Sequence, residues 1–152
     1  MPNRTYSREI DALNYIVKVL IDSRRGYLKA YEMTHDDYVL RPRFLDYANE
    51  RLALILRFQE KVRALGGHPE SDGGLLGEAH RGWMKFSVLF MDDEQAALEA
   101  IDDGEAYLAN QIEERLKRDG LKGEVRDLMV DAYRSAAQGE SFAGAQLRPS
   151  AL

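Results

Sequence analysis

The chain has 152 residues, 45% of them hydrophobic and 31% charged, with a formal net charge of −5. That length buries one substantial core without staples, and the composition belongs to a folded chain with solvated charged faces, which excludes disorder. There is no cysteine, so disulfides, thiolate zinc sites, iron–sulfur clusters and cysteine nucleophiles are excluded, while interspersed charges of both signs leave no basic face for phosphates.

The N-terminal Met1-Pro2-Asn3-Arg4-Thr5-Tyr6-Ser7 lacks the apolar stretch of a signal peptide, and no run of roughly eighteen apolar residues follows it. A cytoplasmic protein is expected, with neither a membrane nor a nucleic acid as partner. A first helix is expected from Ser7, as its N-cap, to about Met33, with Ile10, Leu13, Val17, Leu20, Tyr27 and Tyr31 on one stripe. Gly26 interrupts this helix, and a glycine there, costing about 1 kcal/mol against alanine, points to close helix approach. After the turn Thr34-His35-Asp36-Asp37, Pro42 opens a second helix whose expected inner face is Leu45, Ala48, Leu52, Ile55, Val62 and Gly66. Gly66-Gly67-His68-Pro69 stops it.

A loop over Glu70 to Gly74 leads to a shorter helix between Leu75 and Met91, with Leu76, Ala79, Trp83, Phe86 and Phe90 at matching spacing. The next helix has an acidic start at Asp92-Asp93-Glu94, Leu98, Ile101, Leu108 and Ile112 on its seam, and Arg115, Lys117 and Arg118 in its last turn, as the helix dipole favours. A final helix is expected from about Gly123 to Gly139 or slightly beyond, presenting Val125, Leu128, Ala132 and Ala136, before a fraying tail over 143–152. The expected fold is therefore all-α, a single four-helix-bundle domain over 1–152 with its core at about 8–142. The chain between Gly66 and Asp93 is long enough to run back along the bundle. That gives an up-down-down-up order with one long crossover containing the shorter fifth helix.

Several spacings together, Asp22-Ser23-Arg24-Arg25-Gly26-Tyr27, Leu65-Gly66-Gly67, His80-Arg81-Gly82-Trp83 and Gly104-Glu105, resemble an uncharacterised bacterial family. It is the four-helix-bundle family known as domain of unknown function 2383, placed in the ferritin-like superfamily, and the resemblance runs from about Glu9 to Leu147. It implies a fold and a superfamily but no activity, substrate or catalytic residue.

A ferritin-like bundle suggests a dinuclear metal centre, which needs a carboxylate from each of two helices and Glu-x-x-His from each of the other two. The histidines are His35, His68 and His80, none of them three residues after an acid within a long helix. No metal, no cofactor and no catalytic residue is therefore assigned. Two charges interrupt apolar stripes instead: Arg24 between Leu20 and Tyr27, and Glu105 on the seam of the third long helix. The inferred topology brings them to one depth, where they are expected to form an interior ion pair; the competing reading has Arg24 snorkelling to the surface along Leu20. His80 and Trp83 mark a second candidate site on the crossover helix, with core packing as the simpler reading. No nucleophile motif or phosphate loop occurs. The expected function is a non-enzymatic bundle without a metal centre, stress-associated or assembly-forming, with a homo-oligomer as an open partner class. The alternative is a di-iron type oxidoreductase or metal-storage bundle.

Overall fold

Apolar residues at three- and four-residue spacing form four helices: α1 (Ser7–Met33), α2 (Leu40–Ala64), α3 (Glu94–Arg118) and α4 (Gly123–Leu147). The computed structural model describes residues 6–34, 36–72 and 94–147, and no strand occurs among them. The expected helix between Leu75 and Met91, with His80 and Trp83, lies outside the described residues.

Helix α1 carries the expected stripe, with Ile10, Leu13, Val17, Leu20 and Tyr27 buried and Tyr31 half-buried. Its cap position falls on Tyr6, so Ser7 is the first helical residue and not the cap. Gly26 is buried. Helix α2 begins at Leu40, two residues before Pro42. Its first turn is held by Asp37, whose Oδ1 accepts from the backbone N–H of Val39 at 3.1 Å and of Leu40 at 2.8 Å. The bond from Leu40 holds the Asp37 carboxyl below its ordinary value. Asp37→Ala leaves these N–H groups without an acceptor and is expected to cost about 1 kcal/mol, against little loss for Asp37→Asn, in denaturant unfolding.

The inner face of α2 meets expectation at Ala48, Ile55 and Val62 and differs elsewhere. Phe44, Tyr47, Ala48, Arg51, Leu54, Ile55, Phe58 and Val62 are buried, whereas Leu45 and Leu52 are half-buried and Gly66 is exposed. The aromatics Phe44, Tyr47 and Phe58 draw the centre of the face away from the side on which Leu45 and Leu52 stand. Gly66 closes the helix at φ 88°, and the N–H of Gly67 donates to the carbonyl of Val62 at 2.9 Å. The chain then turns back along α1 and α2. Asn14 donates to the His68 carbonyl at 2.9 Å and accepts from the Glu70 N–H at 2.9 Å, while Gln59 donates to the Glu70 carbonyl at 2.8 Å.

Pairs across the helices give their directions. From α1 to α3, Tyr15 donates to Gln111 at 2.8 Å and Tyr27 to Glu105 at 2.9 Å, so these two run antiparallel. From α2 to α4, Lys61 meets Glu124 at 2.6 Å and Arg57 meets Asp131 at 2.8 Å, again antiparallel. With α1 and α2 joined by a short turn, α2 and α3 are parallel and the order is up-down-down-up, as the long connection between them requires.

Helix α4 does not stop near Gly139 but continues to Leu147. Phe142 packs against Phe44 and Tyr47, with ring centres 6.2 and 5.2 Å apart, and Ala143 is fully buried. Ala143, at the start of the expected tail, thus completes the core at that end together with Phe142. Two apolar clusters result, one from Ile10 to Met129 and Ala136, the other built on Tyr27, Phe44, Ile101 and Ala143.

Candidate functional site

Polar side chains from all four helices converge between the two apolar clusters. Helix α1 contributes Ser23 and Tyr27, one turn apart. Arg51 comes from α2, Glu105 from α3, and Ser135 and Gly139, again one turn apart, from α4. Arg51 is the largest fully buried side chain among the described residues, and Glu105 is likewise 0% exposed. A buried charge costs several kcal/mol unless it is paired and hydrogen-bonded, and here nearly every donor and acceptor is used.

The guanidinium of Arg51 is bonded on three sides. Its Nε donates to the Ser23 hydroxyl at 3.1 Å, one terminal nitrogen donates to the Ser135 hydroxyl, and the other pairs with Glu105 and donates to the Ser135 carbonyl at 3.3 Å. The Glu105 carboxylate also accepts from Ser23 at 3.2 Å and from the Tyr27 hydroxyl at 2.9 Å. The Ser135 hydroxyl donates onward to Glu50, which is exposed, so the network reaches the surface on the α2–α4 side. Tyr27 is held by a stacked ring contact with Tyr47, centres 5.2 Å apart, and the Arg51 guanidinium lies 5.7 Å from its ring centre.

Burial pushes the Glu105 carboxyl up from its ordinary value, against the opposing pull of Arg51 and of the bonds from Tyr27 and Ser23. Burial and the neighbouring carboxylate drive the Tyr27 hydroxyl well above the usual tyrosine range, which keeps it a proton donor. Gly139 makes room for the carboxylate. A Cβ built there would overlap Glu105 and stand 2.5 Å from the Tyr27 hydroxyl.

Of the residues singled out from sequence, Glu105 is at the centre of this arrangement and Arg24 is not part of it. Arg24 is half-buried, its Nε has no hydrogen-bond partner, and the guanidinium expected from it is supplied by Arg51. The physical reason is angular: α1 faces α3 through Ser23 and Tyr27, and residue 24 is turned about 100° from residue 23. The signal for Arg51 was present in its spacing, since it continues the buried series Phe44, Ala48, Ile55, Phe58 at intervals of three and four. Among the described residues, no group of three or more His, Asp or Glu stands close enough to hold a metal ion. No helix among them is long and apolar enough to cross a membrane.

Four helices in up-down-down-up order, joined at mid-height by a buried arginine–glutamate pair, define a four-helix bundle with a polar centre. The chain belongs to the family described as Domain of unknown function (DUF2383), whose model matches residues 8–118. Comparison with curated proteins and with solved structures finds no match. The matched span takes in α1 to α3, and with them Ser23, Tyr27, Arg51 and Glu105. It ends before α4, short of the span to Leu147 inferred from the resemblance.

Proposed function

We propose that this chain is a non-catalytic, assembly-forming or stress-associated module on a ferritin-like scaffold, its bundle centre filled by an ion pair in place of a metal centre. One observation carries the reading: the Arg51 guanidinium lies where the four helices converge, with its donors directed to Ser23, Glu105 and Ser135. A fixed positive charge there repels a cation, and it engages the carboxylate that α3 would offer as a ligand. The ferritin-like assignment, a bacterial origin and a cytoplasmic location belong to the same proposal.

The test is metal analysis of protein purified without added metal, followed by aerobic addition of ferrous iron. We expect well under one metal ion per chain and iron oxidation at the rate of buffer alone. Retention of one or two ions per chain, lost on Glu105→Gln, would show the reading to be wrong.

A further inference from the structure

Among the described residues the bundle is open along one side. Neighbouring helices pack closely at the α1–α2 and α3–α4 hairpins, but α2 and α4 stand apart over a surface groove of about 670 Å³ that exposes Leu56, Ala64 and part of Leu128. Leu56 is 56% exposed. The groove continues past Leu54 and Ser135 toward Glu50 and Gln138. From Glu50 to Ala64 it follows α2 for about 21 Å.

Its two walls carry opposite charges at matching heights. Toward one end Arg57 and Lys61 on α2 stand across from Asp131 and Glu124 on α4, paired at 2.8 and 2.6 Å. Toward the other end the order is reversed, with Glu50 on α2 and Arg134 on α4. Glu60, on the α2 wall, departs from the pattern and is paired within its own helix to Arg63 at 3.4 Å.

From this pattern we propose that the α2–α4 face docks a second copy of the same chain about a two-fold axis parallel to the helices. That operation places each α2 against the partner's α4 at equal height. Arg57 then faces a second Asp131, Lys61 a second Glu124 and Glu50 a second Arg134, while the two exposed Leu56 side chains leave water. A two-fold axis across the helices would instead set α2 against α2 with heights reversed, and only the parallel axis repeats across the interface the Arg57–Asp131 and Lys61–Glu124 pairings. The interface is isologous, as closed dimers require. Two helices about 37 Å long and together about 20 Å wide present roughly 700 Å² per copy, close to the approximately 800 Å² per partner of a standard stable interface. The dimer is independent of what occupies the bundle centre, so it stands or falls separately from the metal-free reading.

The charge pattern supplies the test. Arg57→Glu makes the middle of both walls acidic, and Asp131→Arg makes it basic; both positions are solvent-facing, and circular dichroism verifies that each variant is folded. In sedimentation equilibrium the wild-type chain is expected to be a dimer that weakens with added salt. Each variant alone is expected to raise the dissociation constant by about tenfold or more, and their equimolar mixture to restore dimerisation. A monomeric wild-type chain at about 100 μM, where an interface of this size associates, overturns the proposal. So does a dimer that both reversals leave intact, or a mixture no tighter than its components.

Discussion

Arg51→Ala is expected to destabilise the fold by about 3–5 kcal/mol, because it leaves the Glu105 carboxylate buried without its counter-charge. Glu105→Gln should act in the same direction, leaving the guanidinium unpaired at the same point. The cause is desolvation, not loss of volume, and a double-variant cycle separates the two. Replacing both partners with apolar residues, Arg51→Met with Glu105→Leu, removes both charges and should recover most of the loss. Full recovery needs Tyr27→Phe and Ser23→Ala as well, since both hydroxyls donate to Glu105 and would otherwise lose that acceptor while buried. Urea unfolding measures each step. If either single variant unfolds within about 1 kcal/mol of the wild type, the pair is solvated and its burial is refuted.

Gly139→Ala is expected to reverse the usual rule for helices. In a helix interior alanine is more stable than glycine by about 1 kcal/mol. At residue 139, however, the added methyl would overlap the Glu105 carboxylate and crowd the Tyr27 hydroxyl. We expect a loss of about 1–3 kcal/mol from overpacking. The control is the background Tyr27→Phe with Glu105→Ala, which removes both obstructing groups. There Gly139→Ala should become neutral or stabilising, and that change of sign is the readout. A loss of the same size in both backgrounds would mean that the glycine serves backbone conformation and not close packing.

The parts of the bundle legible in the sequence were those where the apolar period is uninterrupted. The apolar stripes of α1 and α3 could be followed, including Glu105 where it replaces a hydrophobic residue between Ile101 and Leu108, although the α1 stripe did not distinguish Ser23, which faces inward, from Arg24. The parallel course of α2 and α3 followed from chain length alone. Arg51 was overlooked because Leu45 and Leu52 drew the α2 stripe to the wrong side, and leucines at the edge of a seam are as apolar as those within it. Sequence alone ends the last helix at about Gly139 or slightly beyond for a similar reason. Glycine ends helices and also admits close neighbours inside them, and only the position of Glu105 and Tyr27 distinguishes the two uses. The partner of a buried charge is a tertiary fact, set by helix rotations that one-dimensional spacing leaves free by about a third of a turn.

From Ala132 onward the buried residues of α4 are small, Ala132, Ser135, Ala136, Gly139 and Ala143, whereas Val125, Leu128 and Met129 fill its first turns. That stretch by itself gives little resistance to sliding, because a shift of one turn, about 5.4 Å, replaces one small residue with another along it. Gly139 is the exception. Its neighbours one turn away, Ser135 and Ala143, both carry a Cβ, and either would be driven against the Glu105 carboxylate if α4 moved along its axis. The same movement would carry the Ser135 hydroxyl away from Arg51. Glu105 therefore acts as a detent and Gly139 as its notch: the charge that is costly to bury also indexes the stretch of α4 where small residues define the register least.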